Sequence, residues 1–271
     1  MATASTTPRR RRPSRASRVA AVIAVVALVA VLVTRVWPSA HAAITPECEA
    51  RGAGGAFVLS ADQAANATTI AAVGKRLGLP DHAVSVALAA ALQESGLHNL
   101  RGGDRDSIGL FQQRPSQGWG TPQQIADPIY AATAFYQHLA QVPDWASRSV
   151  TDAAQAVQHS AAPNAYADWE TEARTLAAAF TGEVAGGFSC RFSPPSLPPL
   201  RTEMATAMSR ELGPPALATT VDAPRGWLVA SWVVAHALEY RVGAVSFAGQ
   251  RWTPGAGAWE ARPPDVPRVE V

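Results

Sequence analysis

Apolar and polar positions divide the chain into helical stretches around one polar segment. From Ala61 to Leu77, Ile70, Val73 and Leu77 recur at helical spacing until Gly78-Leu79-Pro80 breaks the pattern. Asp81 is the expected N-cap of the next helix, 82–95. That helix is apolar on nearly every side, through Ala83, Val84, Val86, Ala87, Leu88, Ala90 and Leu92, as a helix buried in a domain centre should be. It ends on a carboxylate, Glu94, followed by Ser95 and Gly96. Residues 96–126 are rich in Gly, Gln, Asp and Arg, and their short apolar run, Ile108 to Phe111, is expected as one strand of a small hairpin. Helical spacing resumes with Asp127 as N-cap and Pro128 at the first position of a helix over Ile129–Ala140. A further helix, starting at Ser149 or Thr151, takes in Ala153–Gln158, and Tyr166–Phe180 completes the set. The Gly- and Ala-rich residues 43–60 are expected to be irregular.

Beyond this set, 182–199 (GEVAGGFSCRFSPPSLPP) has the composition of a semi-rigid spacer. Residues 200–271 then carry a second, smaller pattern. Leu200, Met204, Met208 and Leu212 fall on one helix face, 226–240 is a second helix, and 243–249 with 250–253 are strands around a turn. The fold class expected is α+β: a mainly helical domain at 43–181, a linker at 182–199 and a small α+β domain at 200–271. His236, inside an apolar helix, reads as a core residue, and no internal repeat is present.

The net charge of +2 misleads. Seven arginines and no acid lie in the first 42 positions, which leaves 16 basic against 21 acidic residues in the remainder. The basic balance is local, so a nucleic-acid surface is not expected. Arg9 to Arg18, then the uncharged run Val19–Val33, then Ala40-His41-Ala42, give residues 1–42 the layout of an export signal. The run is short for a spanning helix, though Val36 and Trp37 extend it beyond Arg35, so a cleaved signal and a retained transmembrane anchor both stay open. Either places 43–271 outside the cytoplasm, because the arginines stay inside. The chain's two cysteines flank the first domain, and in an oxidising compartment Cys48 and Cys190 are expected to pair.

Glu94 is the residue whose position asks for a chemical reason. The C-terminal end of a helix carries partial negative charge, and a low-dielectric surrounding disfavours a second one. Both effects suit a general acid, which must hold its proton near neutral pH. The ordinary alternative is a solvated glutamate at a helix end. Other chemistries fail: the six histidines are scattered without metal spacing, GWGTP lacks the GK[ST] of a phosphate loop, and no G-x-S-x-G elbow occurs. No cofactor and no metal are expected.

Three motifs in order, Glu94-Ser95, Ser107-Ile108-Gly109-Leu110-Phe111-Gln112 and Asp127-Pro128, resemble the lysozyme-like domain of lytic transglycosylases and goose-type lysozymes. The resemblance covers roughly residues 60–181. It implies a peptidoglycan glycan strand as substrate. Glu94 would protonate the glycosidic oxygen and then act as base on the sugar's own 6-hydroxyl or on water. Ser107, Gln112 and Gln113 would line the groove. The family's Tyr-Asn-Ala-Gly-like segment has no direct counterpart here: Gln158 stands near its place, with Tyr166 supplying a phenol from the following turn. The family often lacks a second carboxylate; Asp104 and Asp106 are the loop residues that could serve as one, and Asp-Arg-Asp is more often a solvated loop. Trp119 and Trp169 could stack on sugars, or belong to the core, and His98 is a loop residue four positions from Glu94. The expected function is glycan-strand cleavage at the cell envelope by a lytic transglycosylase or muramidase. The rivals are a catalytically inactive peptidoglycan-binding module and a scaffold protein of an envelope complex.

Overall fold

Where the Gly- and Ala-rich sequence was expected to be irregular, two strands form a hairpin, β1 (Glu47–Gly52) and β2 (Gly55–Leu59). The reason is period-2 burial on small side chains: Cys48 and Ala50 face inward along β1. A third strand, β3 (Phe188–Arg191), pairs with the other edge of β1, giving the order β2-β1-β3. It lies in the stretch expected as a spacer, where Phe188, Cys190 and Phe192 are all buried. Cys48 sits directly opposite Cys190 in the register, and the two form the expected disulfide.

The computed structural model describes residues 24–27, 29, 44–160, 162, 164–214, 220–263 and 268–271. Residues 44–271 make up one compact unit and the first 43 another. Of that first unit only 24–27 and 29 are described, as helix, so the expected signal or anchor at 1–42 lies almost wholly outside the described residues. Among the described residues no helix is long and apolar enough to cross a membrane.

Helix α1 (Ala61–Arg76) starts at a capping box in which Ser60 and Gln63 bond each other's backbone N–H groups. Helix α2 (Asp81–Ser95) is buried continuously from Ala83 to Leu92 and packs against α1 and four later elements. Its N-cap is Pro80 and not Asp81, because Asp81 is already helical and its carboxylate takes Lys75 Nζ at 2.6 Å. After the short α3 (Pro122–Ile125), α4 (Pro128–Leu139) begins as expected, with Asp127 accepting the N–H of Ile129. Ser149 caps α5 (Val150–Gln158). The helix expected from Tyr166 onward is instead a 3-10 turn, Ala165–Trp169, followed by α6 (Glu170–Thr181), the principal partner of α2.

The chain then adds α7 (Arg201–Leu212) and α8 (Ala223–Ala235), which stops short of the Tyr240 expected to end it. Strands β4 (Val245–Phe247), β5 (Gln250–Trp252) and β6 (Trp259–Ala261) form a second antiparallel sheet in that order. The fold is α+β, mainly helical with two small three-stranded sheets. This later part packs directly on the earlier helices. Met204, Met208 and Leu212 are buried, α7 and α8 rest on α1, and α8 rests on α6. Two indole N–H groups stitch the second sheet to β3: Trp252 Nε1 donates to Cys190 O and Trp259 Nε1 to Phe188 O, at 2.9 and 2.8 Å.

Candidate functional site

Glu94 occupies the last turn of α2, half-buried and next to the exposed Gln93, just beyond the stretch Ala83 to Leu92 that is buried throughout. The helix closes on Gly96 in the left-handed region (φ 60°), and the N–H groups of Gly96 and Leu97 return to Leu92 O and Ala91 O. A glycine fits here because its missing Cβ removes the penalty of positive φ. Two side chains of α1 clamp the turn from outside: Gln63 Nε2 donates to Gly96 O and Asn66 Nδ2 to Leu97 O, both at 2.9 Å. The backbone under Glu94 is therefore fixed from two helices.

Tyr166 reaches this carboxylate. Its phenol donates to Glu94 Oε1 at 2.6 Å, from a ring that is fully buried. Burial raises the phenol well above its ordinary value, the bond and charge of Glu94 raise it further, and Ser160 acts weakly the other way. Tyr166 thus stays a proton donor in its hydrogen bond throughout the neutral range. Among the described residues no hydrogen-bond donor of the protein reaches Glu94 Oε2.

The polar loop packs beside this pair. Ile108 and Gln113 bridge each other, Gly109 bridges Leu100, and Leu110 and Phe111 lie buried at the turn. The expected strand is reduced to these bridges because the apolar run is spent on anchoring: Phe111 stacks on Phe135 with centroids 4.7 Å apart. Two residues tie the turn to the helix ends. Ser95 Oγ donates to Leu110 O at 2.7 Å, and Gln158 Nε2, from the last residue of α5, donates to Phe111 O at 2.9 Å.

The expected groove residues therefore fare differently. Tyr166 meets Glu94 itself. Gln158 holds the loop backbone. Gln113 is buried and its amide donates to Ala131 O, which puts it in the interior and not along a groove. Gln112 sits at positive φ (46°), bonded to Gly109 O, against Gly103, where any Cβ would overlap its side-chain oxygen. Ser107 is buried, its backbone N–H on Asp104 O.

Neither loop aspartate sits as a second catalytic carboxylate would. Asp106 is bound by Arg114 at 2.8 Å and by the N–H and hydroxyl of Ser116, which hold its carboxyl far below the usual range. Asp104 is exposed and faces Arg105 at 3.9 Å. Trp119 is stacked on His138, and Trp169 donates its indole N–H to Gln93, next to Glu94 in sequence. Among the described residues no cluster of His, Cys, Asp or Glu could hold a metal ion. The residues that sequence reasoning missed are Gln63 and Asn66. The Ser60-x-x-Gln63 capping box was a usable signal for the first, while nothing in the sequence marks Asn66. No protein-family model matches the chain, and no curated protein matches it in sequence.

Proposed function

We propose that the chain is a peptidoglycan glycan-strand-cleaving protein of the cell envelope, with Glu94 as general acid and then base. The observation that carries this reading is the Tyr166–Glu94 bond at the exposed end of a buried helix. With the phenol on Oε1, the proton to be delivered sits on Oε2, which no donor of the described residues reaches. Tyr166 then orients the carboxyl without competing as an acid. Glu94 Oε2–H protonates the bridging oxygen as the glycosidic bond breaks. The resulting carboxylate takes a proton either from the sugar's 6-hydroxyl, giving a 1,6-anhydro product, or from water, giving a free reducing end. The fixed backbone at Gly96 and Leu97 supports a preorganised acid. Export through the N-terminal segment, with the body outside the membrane as a secreted or anchored form, belongs to the same proposal.

The test uses the wild-type chain and Glu94→Gln with purified peptidoglycan, reading released muropeptides by mass spectrometry. Fragments from the wild type alone support the assignment, and a mass lower by one water identifies the transglycosylase reaction. No fragments from either protein, with native circular dichroism, overturn it. Retention on insoluble peptidoglycan in that case would point to a binding module.

A further inference from the structure

A second aromatic side chain meets the end of α2 beside Glu94 and takes no part in the acid chemistry. The 3-10 turn Ala165–Trp169 winds at about three residues per turn, so side chains three apart lie over one another on one face. Tyr166 and Trp169 stand at that spacing. Tyr166 reaches Glu94, and Trp169 Nε1 donates to Gln93 Oε1 at 2.8 Å. One face of the turn therefore engages two consecutive residues of α2. The two aromatics differ in burial. The ring of Tyr166 is fully buried, whereas Trp169 is half-buried, packed on the core with part of its ring and open to solvent with the rest.

The same bond orients Gln93. An indole N–H only donates, so the amide turns its oxygen toward Trp169 and its NH2 group away. Gln93 is exposed, and among the described residues its Nε2 has no acceptor. The surface next to the acid thus carries a part-open indole and a directed amide donor. Neither residue is charged, which favours a neutral ligand group. A pyranose ring complements both. It has a face of C–H bonds that packs on an aromatic ring, edged by hydroxyl or acetamido oxygens that accept from an amide.

We propose that Trp169 and Gln93 form a saccharide subsite adjoining Glu94. The open part of the indole stacks on the C–H face of an N-acetylhexosamine unit, and Gln93 Nε2 donates to one of its oxygens. The choice of ligand rests on the glycan-strand reading of Glu94, but binding at the subsite requires no cleavage.

The test titrates the full chain carrying Glu94→Gln, so that nothing is cleaved, with N-acetylchitotetraose, followed by calorimetry and tryptophan emission. The expected result is saturable binding that weakens at least about tenfold when Trp169→Ala is added and about 2–10-fold when Gln93→Ala is added. Emission should change on saturation, and should not change in the Trp169→Phe form. Gln93 is exposed, so its substitution leaves the core intact and decides the matter even if Trp169→Ala fails to fold. Unchanged affinity in Gln93→Ala or in folded Trp169→Ala, an emission change that persists in Trp169→Phe, or no saturation by about 10 mM oligosaccharide would overturn the subsite. Peptidoglycan cleavage by the wild type alongside such a result would leave the role of Glu94 standing. The expected binding without any cleavage by the wild type would leave the subsite standing and remove the acid.

Discussion

Replacing Tyr166 by Phe takes one oxygen from a fully buried ring and leaves the ring in place. The change isolates the bond to Glu94 Oε1 at 2.6 Å. A hydrogen bond contributes about 0.5–1.5 kcal/mol, and about 1.5–3 kcal/mol where one partner is charged. Glu94 is half-buried, so water partly replaces the lost donor, and the expected destabilisation falls to about 1–2 kcal/mol. For a body of this size that is a drop in Tm of about 2–8 °C. The direct assay is a double-mutant cycle with Glu94→Ala, using urea denaturation of the four proteins. The coupling energy should come out at about 1–2 kcal/mol, because each single change removes the same bond. A coupling below about 0.3 kcal/mol would refute the reasoning and show the phenol and carboxylate to be independent in solution. If Glu94 is the general acid, the same variant should cleave glycan strands about 5–30-fold more slowly.

Gly226→Ala, in the first turn of α8, should destabilise despite the better helix propensity of alanine. Its Cβ would fall 1.9 Å from Phe247 Cζ, on a buried ring already packed against Trp227, and overpacking of this kind costs about 1–3 kcal/mol, to be read by thermal melting. Stability should also fall at high pH. Burial raises the phenols of Tyr136 and Tyr166 above the ordinary 10.0, so their contribution is fully present below pH 10 and is lost as pH rises beyond it; urea titrations at increasing alkaline pH should show this, with a shallower fall in Tyr166→Phe. Removing the disulfide with Cys48→Ser/Cys190→Ser should cost about 4–5 kcal/mol for a sequence separation of 142, measured by chemical denaturation against the wild type.

The helices were legible because their signals are local. Asp127-Pro128 fixed the start of α4, and the apolar sides of 83–92 fixed the burial of α2. The pairing of Cys48 with Cys190 followed from their flanking positions. Strands β4 and β5 fall within the expected 243–249 and 250–253, whereas the strands of the first sheet were not legible. β1 buries only Cys48 and Ala50, side chains too small to write an alternating pattern, and β3 is four residues inside a Gly- and Pro-rich stretch. What makes them strands is their mutual pairing across the whole helical set, a long-range fact. At the site, the motifs led to Glu94 and its loop. They did not show that Gln113 turns inward to Ala131, nor that Asn66 holds the turn after Glu94. Both depend on which helix lies alongside, and that is decided by packing.

The pairing of β1 with β3 also sets a mechanical path through the molecule. Cys48 precedes every helix of the set from α1 to α6, and Cys190 follows them all. A pull on the two ends of the folded body therefore crosses from one strand to the other through a single covalent bond, and the residues between carry no load. The turn that holds Glu94 is shielded from tension for as long as the disulfide is intact. The load falls instead on what lies outside the closed loop: α7, α8 and the second sheet, whose hold on the body is noncovalent and includes the bonds of Trp252 and Trp259 to β3. Under force that segment would peel away first, while the helices around Glu94 stayed folded.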